Sequence, residues 1–237
     1  MTDRSPPDAD ALKRRAAAEA LTRVESGMRL GLGTGSTMAH FLDLLGDALE
    51  DGAVAKVAGV ATSERTAEHA RRRGIPTSPL AELGRLDLAI DGADEVDPAL
   101  DLVKGLGGAL LREKMIVQAA DRFIVIADQS KEVSRLCTRA PLPVEVVPFA
   151  WDAHLGPLAE LGGRAELRKT GGDPYMTDNG NFILDIHFDD GLHAPDEVDR
   201  FLQARAGVVE SGLFLGVADE VFVASPGGTT VRVRGDA

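Results

Sequence analysis

Cysteine occurs once in this sequence, at position 137, so no intramolecular disulfide can form and a cysteine-based zinc site lacks its ligands. Aromatic residues are scarce at 4 %, which leaves Val, Leu, Ile and Ala to build the core. Basic residues fall short of acidic ones, 26 against 38, for a net charge of −12. A chain with that balance lacks the positive footprint a nucleic-acid partner requires. It keeps room for a small anionic ligand, because a local cationic pocket can exist on an acidic protein. No apolar run approaches membrane-spanning length, and the opening residues MTDRSPPDAD carry no apolar signal core. The expectation is a cytoplasmic protein with no membrane partner and a disordered stretch over residues 1–10. The 237 residues, 44 % of them hydrophobic, suffice for one or two domains with a sizeable core.

Periodicity gives the organisation. Asp10 is placed to cap a helix through ALKRRAAAEALTRV, which Gly27 stops. Strands are expected at 28–33, 57–60, 86–90 and 123–128. Helices are expected at 37–49, through ERTAEHARRRG and through 115–120. This alternation indicates a parallel sheet wrapped by helices. Three prolines in TRAPLPVEVVPFA, residues 138–150, suit a linker or edge strand. Helix, strand, strand and helix follow up to Phe214, and ADEVFVAS with TTVRVRG closes back onto the first domain. The strand NFILDIHF suits either an interface or a core. The fold class expected is α/β: a Rossmann-like, mostly parallel sheet with helices on both faces over 1–137 and 216–237, and a smaller α+β, ferredoxin-like lid domain over 138–215.

Ligands of open α/β sheets bind beyond the carboxyl ends of the strands, where four loops fall. GLGTGST, Gly31–Thr37, offers glycine-exposed amides, a helix N-terminus and two hydroxyls to an anion. A dinucleotide fingerprint would need glycine at position 36, where serine stands, and an acid about 20 residues on. The P-loop lysine is also missing. The loop fits one phosphate better than a pyrophosphate, and taken alone a plain strand-to-helix turn weighs as much. Asp91-Gly92-Ala93-Asp94-Glu95 crowds three carboxylates at a strand end. They suit proton handling, a loose metal site without histidine or a solvated acidic turn. Lys104-Gly105-Leu106-Gly107-Gly108 precedes Glu113, which lies one or two turns inside a helix starting near Gly108. On spacing alone Glu113 reads as a surface acid paired with Arg112 or Lys114. Asp128-Gln129-Ser130-Lys131 is either a solvated turn or a phosphate contact through Lys131.

GLGTGST, DGADEVD, KGLGGALLREK, FIVIADQSK, PLPVEV and TDNGNFILD, in this order over nearly the whole chain, resemble the A-type ribose-5-phosphate isomerases. That resemblance implies interconversion of ribose 5-phosphate and ribulose 5-phosphate in the non-oxidative pentose phosphate pathway, with no metal and no cofactor. It implies Glu113, in the R-E-K motif, as the base. It places substrate against Thr34, Gly35, Ser36 and Thr37, against Asp91, Gly92, Ala93 and Asp94, and against Lys104, Gly105, Leu106 and Gly107. Lys131 also contacts substrate, and Lys13 of the first helix lies near the phosphate. Leu106 departs from the family's usual glycine or polar residue, which is harmless if only its backbone acts. The RKTGGDPYMTDNGN segment is assigned no chemistry. A homo-oligomer, dimer or tetramer, is expected.

The chemistry agrees with the resemblance. Moving a proton between C2 and C1 through an enediolate needs one carboxylate, with a pKa raised from about 4.3 toward about 6 by desolvation. Lys104 and glycine-loop amides then stabilise the oxyanion. Asp91 serves ring opening, Asp94 holds hydroxyls, and Ser36, Thr37 and Lys131 anchor the phosphate. Three rivals remain at this level. A sugar-phosphate sensor would come with a helix-turn-helix, for which residues before Gly31 leave no room. A nucleotide-dependent oxidoreductase lacks its fingerprint. An aminosugar deaminase needs a catalytic histidine, whereas His40, His69, His154, His187 and His193 fall in helical or lid segments and read as structural.

Overall fold

The computed structural model describes residues 9–235. The disorder expected over residues 1–10 therefore falls, apart from its last two positions, outside the described residues. Asp10 lies in the first turn of a helix spanning Ala9–Leu21 and not at its cap; its carboxylate meets His40 Nε2 at 3.0 Å.

The chain divides into two compact units. One holds residues up to Ala93, Met115–Lys131 and Val217 onward; the other holds Asp94–Lys114 and Glu132–Gly216. The sequence groups 94–114 and 132–137 with the first domain. In the structure, Glu95–Val96, Leu102–Val103 and Leu213–Phe214 form a three-stranded antiparallel sheet, and Val133 N–H donates to the Val96 carbonyl. The pairing of Leu213 with Val103 bridges more than a hundred residues, beyond what local periodicity can register.

The first unit is built on a six-stranded sheet. Its spatial order is Gly228–Val233, Glu220–Ser225, Phe123–Asp128, Leu88–Gly92, Arg29–Leu32, Ala58–Ala61. All neighbours are parallel except the terminal Glu220–Ser225 and Gly228–Val233 pair. Every residue of FIVIAD is buried, as a strand covered on both faces requires. The Ser36–Glu50 helix turns Met38, Phe41, Leu42 and Leu45 into the core. Each such burial contributes roughly 1.5–3 kcal/mol. Glycine at 31 is a packing demand: a Cβ there would stand 2.4 Å from Ile116 Cγ2. The first strand lies between the second and third, so the chain leaves its two neighbouring strand ends in opposite directions. That switch point sits at the carboxyl ends of Arg29–Leu32 and Leu88–Gly92, where an open sheet binds its ligand.

The second unit carries a four-stranded antiparallel sheet in the order Val208–Ser211, Leu142–Val146, Phe182–His187, Arg164–Leu167. Helices Leu155–Glu160 and Pro195–Gln203 bury Leu158, Val198 and Leu202 in the same core as Leu142, Val144 and Val146. The Pro-rich segment is thus neither linker nor edge: Leu142–Val146 is an interior strand, buried throughout. Pro143 is tolerated because it lies beyond Ser211, the last register partner on that side, and still accepts from Gly212 N–H at 2.7 Å. NFILDIHF supplies the adjoining interior strand, with Ile183, Leu184 and Ile186 buried, so its apolar residues belong to the core.

Candidate active site

In the first unit the site begins where Arg29–Leu32 ends. Gly33 must be glycine, since a Cβ would lie 2.0 Å from Asp91 Cγ. Asp91, 2 % exposed, uses Oδ1 to accept N–H bonds from Thr34 at 3.0 Å and Gly92 at 2.7 Å. Thr34 turns its hydroxyl away from solvent into a buried cluster. Its Oγ1 lies 2.7 Å from Thr62 Oγ1, 2.8 Å from Ser63 Oγ and 3.0 Å from Thr66 Oγ1. Thr66 also donates to the Gly33 carbonyl, and Ser63 Oγ caps the Glu64–Arg72 helix through Thr66 N–H. Thr34 therefore fixes the loop through its hydroxyl. Gly35, with φ +134°, opens the Ser36–Glu50 helix without a side-chain cap. First-turn amides and an exposed Ser36 hydroxyl at a helix start are groups that can accept an anion, and Thr37 is buried beside them. Lys131 ends a short turn after Phe123–Asp128, and Lys13 lies half-buried on the Ala9–Leu21 helix.

The second unit holds the charged chemistry. Glu113 sits in the first turn of the Leu110–Gln118 helix and is 4 % exposed. Its Oε1 lies 3.5 Å from Lys104 Nζ, and Lys104 is 2 % exposed. The surface-acid reading favoured by spacing is thereby excluded. Arg112 and Lys114 point elsewhere: Arg112 Nε donates to Asn179 Oδ1 at 2.9 Å, and Lys114 Nζ reaches Glu210 Oε1 at 2.7 Å and the Ser211 carbonyl at 2.9 Å. Lys104 and Lys114 both stand over the Phe214 ring, at 5.5 and 4.9 Å from its centroid. A buried ammonium beside a carboxylate can hold a developing oxyanion while the carboxylate moves a proton.

Asp94 accepts from Leu106 N–H at 2.9 Å, and Arg168 Nη1 donates to the carbonyls of Gly105 and Leu106. Leu106 acts through its backbone, its side chain standing 43 % exposed. Gly105 and Gly108 both take positive φ, and a Cβ on Gly108 would strike the Tyr175 hydroxyl. Glu95, third acid of the crowded loop, is structural. It is 1 % exposed and accepts N–H bonds from Cys137, Arg139 and Ala140. Burial, and then the Glu95 charge, push the Cys137 thiol far up. Sequence reasoning missed Thr62, Ser63, Thr66 and Arg168. The hydroxyl triplet T-S-x-x-T after the second strand is the one local signal for three of them; Arg168 left none.

The histidines are held in structural contacts where partners are seen: His40 with Asp10, His69 with Asp43, His154 with Arg205, His193 with Arg135. Among the described residues no group of three or more His, Cys, Asp or Glu is placed to hold a metal ion, and no helix is long and apolar enough to cross a membrane.

The switch-point glycine loop of the first unit and the buried lysine–glutamate pair of the second each suit one class, that of sugar-phosphate enzymes of the open α/β type. Residues 58–228 match the family model described as ribose 5-phosphate isomerase A (phosphoriboisomerase A), and the chain belongs to this family. A ribose-5-phosphate isomerase A of Deinococcus radiodurans is 49 % identical over 227 residues, covering 96 % of this chain and all of the relative. One from Roseiflexus castenholzii is 52 % identical over 218 residues, covering 91 % and 92 %. A solved D-ribose-5-phosphate isomerase in complex with phospho-erythronic acid superposes with a TM-score of 0.93 at 41 % identity, over 96 % of this chain and 100 % of that one. The ribose 5-phosphate isomerase A from Neisseria gonorrhoeae gives 0.88 at 39 %, over 97 % and 99 %.

Proposed function

We propose that this chain interconverts D-ribose 5-phosphate and D-ribulose 5-phosphate through an enediolate, with Glu113 as the proton-transfer base. The observation that carries the reading is the Lys104–Glu113 contact of 3.5 Å between side chains only 3 % and 5 % exposed. Both groups act on the reacting carbons of a phosphorylated pentose in this reading. The Glu113 carboxylate takes the proton from C2 of the open-chain aldose, and the C2–H electrons form the C1–C2 double bond. Negative charge then develops on O1, where the Lys104 ammonium and the amides of Gly105–Gly107 stabilise it. Returning the proton to C1 and moving the O2 proton to O1 completes the ketose. Asp91 exchanges the proton that opens the furanose ring, and Asp94 holds sugar hydroxyls while fixing Leu106. Ser36, Thr37 and the first-turn amides anchor the phosphate, with Lys131 and Lys13 adding charge. The phosphorylated sugar acid bound by the related structure joins a phosphate to a carboxylate, a pairing suited to an anion loop and an oxyanion site.

Turnover of ribose 5-phosphate by Glu113→Gln tests the assignment. The expected result is a loss of about 10²–10⁴-fold in kcat with affinity for a phosphorylated sugar acid retained; near-normal turnover removes Glu113 from the role. We also propose that no metal takes part: activity is expected to persist in EDTA, and loss on chelation with recovery on adding a divalent ion would reassign Asp91 and Asp94. A dimer or tetramer in the cytoplasm completes the reading, checked by sedimentation and cell fractionation. A relative from Arabidopsis thaliana is named as chloroplastic, so compartment varies within the similarity.

A further inference from the structure

Glu145 is a buried carboxylate in the middle of an interior strand, at 0 % exposure, and the isomerase chemistry above gives it no part. A carboxylate in that position needs hydrogen bonds to offset its desolvation. It receives them from one short turn. Thr177 Oγ1 donates to Glu145 Oε1 at 2.9 Å, Asn179 Nδ2 at 3.1 Å and Asn181 Nδ2 at 2.8 Å. The turn closes through Thr177 N–H to the Asn181 carbonyl and Gly180 N–H to the Thr177 carbonyl, with Gly180 at φ +79°. A strand carboxylate therefore sets the shape of residues 177–181.

The other side of this turn holds Arg112. Its Nε donates to Asn179 Oδ1 at 2.9 Å and its Nη2 to the Asp178 carbonyl at 3.0 Å. Asn179 thus spends both ends of its amide: the NH2 on a group that only accepts, the oxygen on a group that only donates. Its orientation is doubly determined. Arg112 immediately precedes Glu113 in the first turn of the Leu110–Gln118 helix. On the far side of Glu113, Lys114 is tied to Glu210, which faces Glu145 across the strand pair.

We propose that Glu145, through Asn179 and Arg112, is a positioning residue that holds the Glu113 carboxylate in register with Lys104. The inference rests on Glu113 being the base. Proton transfer is sensitive to such placement, because a shift of about 1 Å can cost about 10²-fold. The segment first set aside as carrying no chemistry supplies the middle of this relay.

The test uses kcat, KM and the pH–kcat profile of the full chain with ribose 5-phosphate. Asn179 is exposed, so Asn179→Ala removes the link without opening the core. The expected result is a fall of about tenfold in kcat with KM within about twofold, and a displaced acidic limb of the profile, which a smaller folded fraction would not produce. Arg112→Ala is expected to lose at least as much, and the double variant no more than Arg112→Ala alone, because members of one relay do not add. Glu145→Gln, which keeps an acceptor at Oε1, is expected to stay closer to wild type than Glu145→Ala. Wild-type kcat and an unmoved limb in Asn179→Ala, or losses that multiply in the double variant, would overturn the proposal. Glu113→Gln measured alongside separates the two readings. If it remains active the base assignment fails; if it is dead while Asn179→Ala is normal, only the relay fails.

Discussion

The Thr34–Asp91 region and the Lys104–Glu113 region solve different physical problems. The first contains one buried carboxylate and four hydroxyls, and almost every polar atom in it is committed to backbone or to another hydroxyl. Neutral hydrogen bonds of this kind are worth about 1 kcal/mol each. Their value is in number and in the fixed loop they produce, whose outward product is a set of free-standing amides at a helix start. The second region places an ammonium against a carboxylate away from water. Its charges are costly to bury and strongly coupled, which makes it responsive to a charge that appears during reaction. Under the function proposed above, the comparison becomes a division of labour: hydroxyls and amides would hold an anion that does not change, and a charged pair would handle the one that does.

Lys104→Met gives the largest combined effect expected on turnover and stability. It removes the proposed oxyanion partner, for about 10²–10³-fold in kcat, and takes the Lys104 ammonium from beside the buried Glu113 carboxylate, for about 3–5 kcal/mol of stability. The double variant Lys104→Met with Glu113→Gln is expected to regain much of that stability in urea unfolding and none of the turnover. A double variant no more stable than Lys104→Met would show that the pair is not the coupled unit described, and would erase the contrast between the regions.

Thr66→Val attacks the other region at similar volume. The hydroxyl bonded to Gly33, Thr34 and Ser63 disappears, and the expected cost is about 1–3 kcal/mol in stability. A loosened anion loop raises KM several-fold and leaves kcat nearly unchanged, the reverse of the Lys104 signature. If Thr66→Val lowers kcat instead, the hydroxyl cluster takes part in the chemical step and the division of labour is wrong.

The same contrast explains what could be read from sequence. The glycine loop follows a strand and the DGAD turn begins at the end of one, so residue order could set both at strand ends; the expectation that Thr34–Thr37, Asp91 and Lys104 meet substrate came from the resemblance. The burial of Glu113 could not be reached by spacing, because flanking Arg112 and Lys114 look like surface partners until Asn179 and Glu210 are seen to take them. Thr34 resisted for a related reason: its hydroxyl partners lie 28–32 residues away on another loop. The interior strand Leu142–Val146 was hidden by Pro143 and the prolines that flank it; the cost of Pro143 vanishes at a position where the neighbouring strand has already ended. Locally driven features were legible, and those fixed by distant partners were not.

His154 provides the smallest expected effect. It is buried, and burial followed by the Arg205 charge holds its pKa below the usual 6.5. Arg205 Nε donates to His154 Nδ1 at 2.8 Å, so the ring is neutral in the folded protein with its proton on Nε2. The sign follows from linkage: between the folded and unfolded pKa values the unfolded chain binds more protons, so stability rises with pH there. The contribution is complete above about pH 6.5 and is lost as pH falls below it. Unfolding midpoints measured at descending pH are expected to drop more steeply in wild type than in His154→Asn, whose amide oxygen can still accept from Arg205 without titrating. Parallel curves for the two proteins would place the acid sensitivity elsewhere than at His154.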